Sequence, residues 1–200
     1  MDKPTLLVVA GCNGSGKSSF SKALVPNGII PFDYDIHYLK IYKSLIDSDL
    51  RDVMAHNAAR TKLEKVIEES IRSKTDFCYE TNFNSTPLFW PYKFKESGFN
   101  IEVIYFCLDS IKEAKKRVQI RVENGGHFVP EHEIVQRYKL GFENLNNHFQ
   151  FFNRVHLIYS SLYKEAPQHI LSLEKGQVIA KSYVPDYLSK LLPDIIRLTK

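Results

Sequence analysis

The sequence predicts an α/β fold, a three-layer α/β/α arrangement built on a mostly parallel sheet. Short runs that are apolar at nearly every position, such as 6–10 and 101–108, alternate with longer segments of helical periodicity. Such runs are typical of strands buried on both faces, and strands that alternate with helices usually pair in parallel. The chain has 200 residues, of which 44% are hydrophobic and 25% charged, so we expect a single domain over 1–200.

The predicted elements follow one another without a linker or an internal repeat. In one helix Tyr38, Ile41 and Tyr42 recur at helical spacing, and in a later loop two glycines precede Pro130, which can open the next helix. Strands are predicted at 6–10, 77–79, 101–108 and 155–160, an extended segment at 28–32, and a terminal hairpin at 170–173 and 177–182 within a segment, 155–200, that completes the sheet. Helices are predicted at 17–24, 36–44, 51–73, 111–123, 130–150 and 185–198.

Composition and charge exclude several classes of protein. The net charge of +4 is mildly basic and forms no dense patch, so we do not expect a nucleic-acid partner. No apolar run approaches the ~20 residues of a membrane helix, and we expect a cytoplasmic location and no membrane association. The cysteines Cys12, Cys78 and Cys107 are odd in number and scattered, which favours reduced thiols over a disulfide framework or a CxxC metal pair.

The segment Gly11–Ser18 matches the phosphate-binding pattern G-x-x-x-x-G-K-[ST] at every fixed position, between a predicted strand and a predicted helix. Its backbone N–H groups would surround a phosphate at the positive end of the helix, Lys17 would reach the β- and γ-phosphates, and the Ser18 hydroxyl would bind Mg²⁺. The alternative is a tight glycine turn without a ligand. The predicted nucleotide-binding residues here are Gly11, Asn13, Gly14, Ser15, Gly16, Lys17, Ser18 and Ser19, of which Ser19 is not required by the motif.

A phosphate-binding loop, or P-loop, leaves the type of nucleotide enzyme open. Signalling GTPases carry N/T-K-x-D and D-x-x-G segments, and neither occurs in this sequence. Motor and AAA-type ATPases need a longer chain. A small-molecule phosphotransferase remains.

Acidic residues follow several predicted strands, where ligands bind in sheets of this type. We predict Asp35 as the general base, although it could instead cap the following helix or exchange roles with Asp33. Glu80 and Thr81 are predicted to bind substrate hydroxyls, the alternative being a strand-end turn. Asp109 is a candidate second metal carboxylate, but a cap for the next helix explains it equally well.

Three arginines flank the glycine-containing loop at 124–130. Arg117 and Arg121 are four residues apart and share a helix face, and Arg137 lies in the first turns of the next helix. They could close as a helical lid, about 121–137, over the phosphates; a solvated basic face is the alternative. His127 in the loop is more typical of a hydrogen-bonded turn than of a catalyst, and no histidine spacing supports zinc.

Taken together, these signatures resemble the zeta toxin family of P-loop kinases. The resemblance rests on Gly11–Ser18, on Asp33-Tyr34-Asp35, on Glu80-Thr81-Asn82-Phe83-Asn84, and above all on the block 117–130 followed by Arg137-Tyr138. It covers about 6–145. The family often has Asn at position 33 and Thr-Phe-Ser at 82–84, so this chain departs from it on the acceptor side.

The resemblance implies a nucleotide-kinase-like core and transfer of phosphate from ATP, with Mg²⁺, to a hydroxyl of a sugar nucleotide, UDP-N-acetylglucosamine in the best-known members. Lys17 and Ser18 would hold phosphate and metal, Asp35 would be the base, and Arg121 and Arg137 would grip the γ-phosphate. Arg117 is included with the nucleotide-binding residues. The acceptor-binding residues would be Asp33, Glu80, Thr81, Asn82 and His127.

Two functional hypotheses follow. The first is an ATP-dependent small-molecule kinase with an alcohol group as acceptor. The second, suggested by the altered Asn82-Phe83-Asn84 segment, is a nucleotide-binding, toxin-like protein that acts through a protein partner, such as an antitoxin, without phosphotransfer.

Overall fold

A computed structural model describes residues 3–26, 28–126, 128–162 and 165–199. Its sheet has six strands in the order β2-β1-β3-β4-β5-β6. The first four pair in parallel and the last two are added antiparallel, which confirms the mostly parallel α/β sheet. The strands are β1 Thr5–Ala10, β2 Phe77–Thr81, β3 Asn100–Cys107, β4 Arg154–Tyr159, β5 Gln168–Glu174 and β6 Gln177–Lys181.

Eight α-helices occur in the described residues: α1 Lys17–Leu24, α2 Tyr34–Ser44, α3 Arg51–Ser73, α4 Phe89–Glu96, α5 Ile111–Glu123, α6 Glu131–His148, α7 Leu188–Leu191 and α8 Pro193–Arg197. The predicted bounds of α1, α3 and α5 are confirmed. The prediction of a single helix at 185–198 is wrong. The helix is interrupted at Leu192, and a new helix begins at Pro193, which has no N–H to donate into a helix. The helix predicted to end near 150 closes instead with a 3₁₀ turn at Phe149–Phe151.

Helix α4 was not predicted from the sequence. It contains Pro91, which usually interrupts a helix, but this proline is the third helical residue, where no intrahelical hydrogen bond needs its N–H. The aromatic side chains provide the stability, since Phe94 is fully buried and stacks on Phe77 of β2 with ring centroids 5.8 Å apart. None of the helices in the described ranges is both long and apolar enough to cross a membrane.

The two faces of the sheet are covered unequally. Leu6 and Val8 of β1 lie in the large core that also contains residues of α3, α4, α6, α7 and α8. Leu7 and Val9 point to the opposite face, where a smaller cluster packs against Val25 after α1. Alternate residues of β1 therefore enter different cores, which explains why the strand is apolar at consecutive positions.

The register of the parallel strands brings the residues that follow their carboxyl ends close together. Ala10 at the end of β1 pairs with Thr81 and with Tyr105, so the loops that leave β1 and β2 meet at one edge of the sheet. The segment predicted as extended at 28–32 forms a bridge to β2 in place of a strand, in which Phe32 N–H donates to the Cys78 carbonyl at 2.9 Å and Glu80 N–H donates to the Phe32 carbonyl at 3.0 Å. This bridge fixes the residues after Phe32 beside Glu80.

Candidate functional site

The loop between β1 and α1 has the backbone of a phosphate-binding loop. Gly11, Gly14 and Gly16 have φ values of +143°, +80° and +91°, in the region that favours glycine. A Cβ on Gly14 would come within 2.9 Å of the Ala114 carbonyl oxygen, so the loop also needs glycine for its close approach to α5. Helix α1 begins at Lys17 with no side-chain cap and no acidic residue in its first turn, and its N-terminal dipole is directed into the loop.

Lys17 reaches across this loop. Its Nζ donates to the carbonyl oxygens of Gly11 at 2.6 Å and Cys12 at 3.1 Å, and to Asn82 Oδ1 at 3.4 Å. Burial lowers the pKa of the Lys17 ammonium, and the nearby carboxylates Glu80 and Asp35 oppose that shift. The side chain therefore joins the loop to the exit of β2.

Ser18 lies between two carboxylates. Its Oγ is 2.8 Å from Asp33 Oδ2 and 2.6 Å from Glu80 Oε2, while Ser21 Oγ donates to Glu80 Oε1 at 2.7 Å. A hydroxyl has one proton and can satisfy only one carboxylate at a time. Burial raises the pKa of Glu80, against the lowering effect of Ser18, Ser21 and Lys17. Three hard oxygen donors with too few protons fit a bound Mg²⁺ ion, whose charge would replace the missing hydrogen bond.

Asp33 and Asp35 have different environments. Asp33 caps α2, since its Oδ1 accepts a hydrogen bond from Ile36 N–H at 3.1 Å. The suggestion that Asp35 is the cap was therefore wrong, because α2 begins at Tyr34, two residues earlier than predicted. Asp35 lies in the first turn of α2, and its side chain lines the cleft beside the loop.

The segment after β2 forms a tight turn. Thr81 Oγ1 accepts from Phe83 N–H at 3.0 Å, and Asn144 of α6 donates to the Phe83 carbonyl at 2.9 Å. Phe83 is fully buried at φ +59°, a conformation that packing must hold in place. Thr81 and Asn82 line the cleft, but Thr81 also makes the strand-end turn that was its alternative role.

The Arg117 guanidinium is hydrogen-bonded mainly to backbone carbonyl oxygens. Its guanidinium donates to the carbonyls of Ser160 at 2.7 Å and Ser161 at 2.6 Å, pairs with Glu113, and approaches the Gly14 carbonyl at 3.4 Å. The Arg117 side chain is only 10% exposed, so a solvated basic face does not describe it. It ties the phosphate-binding loop to the exit of β4.

The other residues of the predicted lid are distributed around the loop. Arg121 lines the cleft together with Arg117. Arg137 Nη1 donates to Asn13 Oδ1 at 3.0 Å and its Nη2 pairs with Glu133, and Arg137 is not among the described residues that line the cleft. His127 lies outside the described residues.

Asp109, the candidate second metal carboxylate, is not among the described residues that line the cleft. Its Oδ1 accepts from Ser110 Oγ at 2.9 Å, and its N–H donates to Ser161 Oγ at 2.8 Å. The cap of α5 is Ser110 and not Asp109, because the Ser110 Oγ accepts from Glu113 N–H.

A single cleft of about 660 Å³ unites most of these residues. The order of the strands divides its lining into two parts. What we call the loop side comes from the exits of β1, β3 and β4 and comprises Asn13, Gly14, Gly16–Phe20, Arg117, Ile120, Arg121 and Leu162. What we call the aromatic side comes from α2, α3 and the segment after β2 and comprises Tyr34, Leu63, Asn84–Pro87, Phe89 and Trp90.

Sequence analysis did not identify the residues of the aromatic side as part of the site. Of its residues, Tyr34 and Asn84 stand within segments that carried the family resemblance, but neither was assigned a role. Their position in the sequence could have indicated them, since Asn84–Pro87 directly follow the Glu80 segment and lead into a run of aromatic residues. The three cysteines are buried and free, and burial raises the pKa of Cys12, inside the loop, to about 11.

No protein of curated function matches the chain. Among solved structures, it is similar to the PezAT chromosomal toxin-antitoxin system of Streptococcus pneumoniae, at TM-score 0.58 and 12% identity, covering 98% of this chain and 79% of the other. It is also similar to AvrRxo1-ORF1:-ORF2 with ATP, at TM-score 0.61 and 13% identity, covering 88% and 60%. A protein of Chloroflexus aurantiacus j-10-fl, described as a kinase, has TM-score 0.56 and 21% identity, covering 68% and 76%.

These structures share the fold of P-loop kinases. The chain spans about half, 47%, of the matched chain in the Pnkp1/Rnl/Hen1 RNA repair complex. The family model for the zeta toxin matches residues 1–166. The matched residues include the phosphate-binding loop, Asp33, Asp35, Glu80 and the arginines of α5 and α6. The chain belongs to the zeta toxin family.

Proposed function

We propose that this protein is an ATP-dependent kinase that transfers the γ-phosphate to a hydroxyl group of a small molecule. One observation carries the proposal: the Ser18 hydroxyl lies between Asp33 and Glu80 while the Asp35 carboxylate lines the same cleft. A kinase needs these parts close together, a phosphate-binding loop, oxygen ligands for a metal and a carboxylate for the acceptor. The similarity to a structure solved with ATP supports the choice of nucleotide.

The loop side is the proposed nucleotide site. Backbone N–H groups of Gly11–Gly16 and the first turn of α1 would hold the phosphates, and Lys17 would exchange its carbonyl partners for phosphate oxygens. Ser18, with Asp33 and Glu80, would hold Mg²⁺, which neutralises charge on the β- and γ-phosphates when bound. Ser19 is the exposed neighbour of these groups in α1.

The proposed transfer step follows from the position of Asp35. The acceptor hydroxyl oxygen forms a new bond to the γ-phosphorus, the bond from that phosphorus to the β–γ bridging oxygen breaks, and the electron pair leaves with ADP. The hydroxyl proton passes to the Asp35 carboxylate. Arg121 would stabilise charge on the transferred group from the lid, while Arg137 would act through its hydrogen bond to Asn13 of the loop.

The test uses γ-labelled ATP, Mg²⁺ and a mixture of small metabolites, with labelled organic phosphate as the readout. We expect a labelled product with the wild-type protein and roughly 10²-fold less, or lower, with Lys17→Ala. Calorimetry with ATP and Mg²⁺ accompanies it. If ATP binds but no labelled organic product forms, the kinase proposal is wrong.

A second candidate function is supported by two of the similar structures. One is a toxin-antitoxin system and the other is an AvrRxo1-ORF1:-ORF2 pair. In that case the chain would bind a nucleotide and act through a protein partner of the antitoxin type without phosphotransfer. Intact ATP binding, no transfer over a broad metabolite mixture, and a stable complex with the product of an adjacent reading frame would favour it.

A further inference from the structure

The turn after β2, at 81–84, is held in an unusual backbone conformation. Phe83 has φ +59°, a left-handed conformation in which the Cβ of an ordinary residue crowds the following carbonyl oxygen. Such a conformation persists only where the surrounding structure holds it, and it is often found at functional sites. The residues on either side of it, Asn82 and Asn84, line the cleft. The strained residue therefore lies between two side chains of the candidate site.

Three contacts hold Phe83 in this conformation. Its ring is fully buried in the large core, with its centroid 6.0 Å from that of Phe152 and 6.4 Å from that of Tyr105. Its N–H donates to Thr81 Oγ1 at 3.0 Å, and its carbonyl oxygen accepts from Asn144 Nδ2 at 2.9 Å. The Thr81 hydrogen bond lies within the turn, whereas the Asn144 hydrogen bond fixes the backbone of the turn against α6.

The same face of α6 also contacts the phosphate-binding loop. Arg137, Gly141 and Asn144 are spaced i, i+4 and i+7, so they share one face of the helix. Arg137 Nη1 donates to Asn13 Oδ1 of the loop at 3.0 Å. A Cβ on Gly141 would come within 2.9 Å of the Asn82 carbonyl oxygen, so this glycine lets the turn lie directly on the helix. One helix therefore determines the distance between the loop and the turn.

This distance matters for the proposed reaction. Lys17 Nζ donates to Asn82 Oδ1 at 3.4 Å, so the side chain that we assign to the phosphates also contacts the turn. Phosphate transfer requires close alignment of the acceptor hydroxyl with the γ-phosphate, and an error of about 1 Å can lower a rate on the order of 10²-fold. A displaced turn would move Asn82 and Asn84 relative to the phosphates while the loop stayed in place.

We propose that Asn144 is a positioning residue for the acceptor: it holds the turn at Phe83 so that Asn82 and Asn84 lie at a fixed distance from the phosphate-binding loop. Gly141 supports the same turn by leaving room for the Asn82 carbonyl group. This inference rests on the proposed kinase function. It adds to that function two residues of α6 that are not among the described residues lining the cleft.

Three asparagines of α6 provide a matched series for the test. Asn144 bonds to the turn, and Asn147 is exposed. Asn146 bonds to α8, where it donates to the Asp194 carboxylate at 2.8 Å and accepts from the Asp194 N–H at 2.9 Å. Leucine at each position removes the amide group at similar volume. A purely structural role predicts that the kinetic loss follows the loss of stability, which should be largest for Asn146→Leu because two hydrogen bonds are lost, one of them to a charged group.

The acceptor is supplied as the mixture of small metabolites, in a dilution series, with γ-labelled ATP and Mg²⁺. We expect Asn144→Leu to lower kcat/KM for the principal labelled acceptor roughly tenfold or more, with ATP affinity by calorimetry within about twofold of wild type. Asn146→Leu should unfold at a lower denaturant concentration than Asn144→Leu and yet keep kcat/KM within about twofold of wild type. Asn147→Leu should match wild type in both measurements.

The outcomes separate this inference from the kinase proposal. Wild-type kcat/KM in Asn144→Leu would overturn the inference and leave the kinase proposal intact, and so would an equal kinetic loss in Asn146→Leu. If Asn144→Leu does not bind ATP, Asn144→Asp gives the same comparison, since its carboxylate keeps the shape of the amide but cannot donate. No labelled product from wild type above the Lys17→Ala background would overturn the kinase proposal, and this inference with it.

Discussion

The loop side and the aromatic side of the cleft are built by different means. The phosphate-binding loop of the loop side is determined by backbone geometry, with three glycines at positive φ and an uncapped helix N-terminus within eight consecutive residues. The aromatic side is assembled from side chains of α2, α3, α4 and the turn after β2, which are far apart in the chain. A site for phosphate can therefore be formed by one short segment of chain. The aromatic side, in contrast, depends on how several distant segments pack together.

The largest effect on the rate of phosphotransfer is expected from a change at Asp35, at the boundary between the two sides. Asp35→Asn should lower the rate of phosphotransfer by on the order of 10²–10⁴-fold, because the amide cannot accept the hydroxyl proton. ATP affinity should stay within about twofold, since Asp35 is not part of the loop. Asp109→Asn is the control, as another aspartate that follows a strand but does not line the cleft. Equal turnover of Asp35→Asn and wild type would exclude Asp35 as the base.

Lys17→Ala should affect both nucleotide binding and transfer. We expect a loss on the order of 10²–10³-fold in kcat, as for removal of a charged donor from a developing negative charge. The KM for ATP should rise in parallel. Lys22→Ala, which removes a lysine from the last turn of α1, provides the comparison, and steady-state kinetics is the measurement. A Lys17→Ala protein that kept wild-type kinetics would place the phosphates elsewhere.

A pair of glycine substitutions separates the two reasons for glycine in the loop. Gly14 and Gly98 both have positive φ, +80° and +84°, but a Cβ would meet other atoms within 4 Å only at Gly14. Gly98→Ala should cost about 1–2 kcal/mol of unfolding free energy from backbone strain alone. Gly14→Ala should cost about 1–3 kcal/mol more, because its methyl group meets the Ala114 carbonyl. Denaturant unfolding measures both, and equal losses would mean that the loop does not pack tightly on α5.

Glu80 makes the stability of the loop side depend on pH. Burial raises the pKa of Glu80 in the folded protein, so its favourable contribution is present below the pKa of the unfolded chain and is lost as pH rises through the folded pKa. We therefore expect Glu80→Gln to gain stability relative to wild type between pH 4 and pH 7 without Mg²⁺. Thermal unfolding at several pH values measures the difference. A constant difference over this range would indicate that the carboxyl does not titrate abnormally.

The smallest effect is expected at Ser19. It is exposed and follows the last residue of the motif, so Ser19→Ala should change the unfolding free energy by less than about 0.5 kcal/mol. ATP affinity, measured by calorimetry, should be within about twofold of wild type. A larger loss of ATP affinity would confirm Ser19 as a nucleotide-binding residue of the loop side.

The same contrast explains what could be predicted from the sequence. The bounds of α1, α3 and α5 and the loop at Gly11–Ser18 follow from local spacing of apolar residues and glycines, which needs no knowledge of the rest of the fold. The backbone partners of Arg117 could not be predicted, since Ser160 and Ser161 are 43 and 44 residues away along the chain. The same holds for α4, whose proline resembles a helix breaker until its position in the first turn is known.

The assignment of Asp33 and Asp35 shows the limit at a finer scale. Two aspartates separated by one residue are equally good candidates for a cap or a base by composition. The bridge between Phe32 and β2 decides between them, because it fixes the start of α2 and leaves Asp33 at the cap position. The choice thus depends on a contact between segments that lie far apart in the sequence, Phe32 and Tyr79.

The guanidinium of Arg117 has a consequence for how the molecule would respond to the proposed nucleotide. It hydrogen-bonds to the carbonyl of Gly14 in the phosphate-binding loop and to the carbonyls of Ser160 and Ser161 after β4, so one side chain links these two segments. A ligand that quenches motion in the glycine turn should therefore slow amide hydrogen exchange after β4 as well, far along the chain from any phosphate. Arg117→Met should uncouple the two segments, leaving protection by ATP confined to the turn itself.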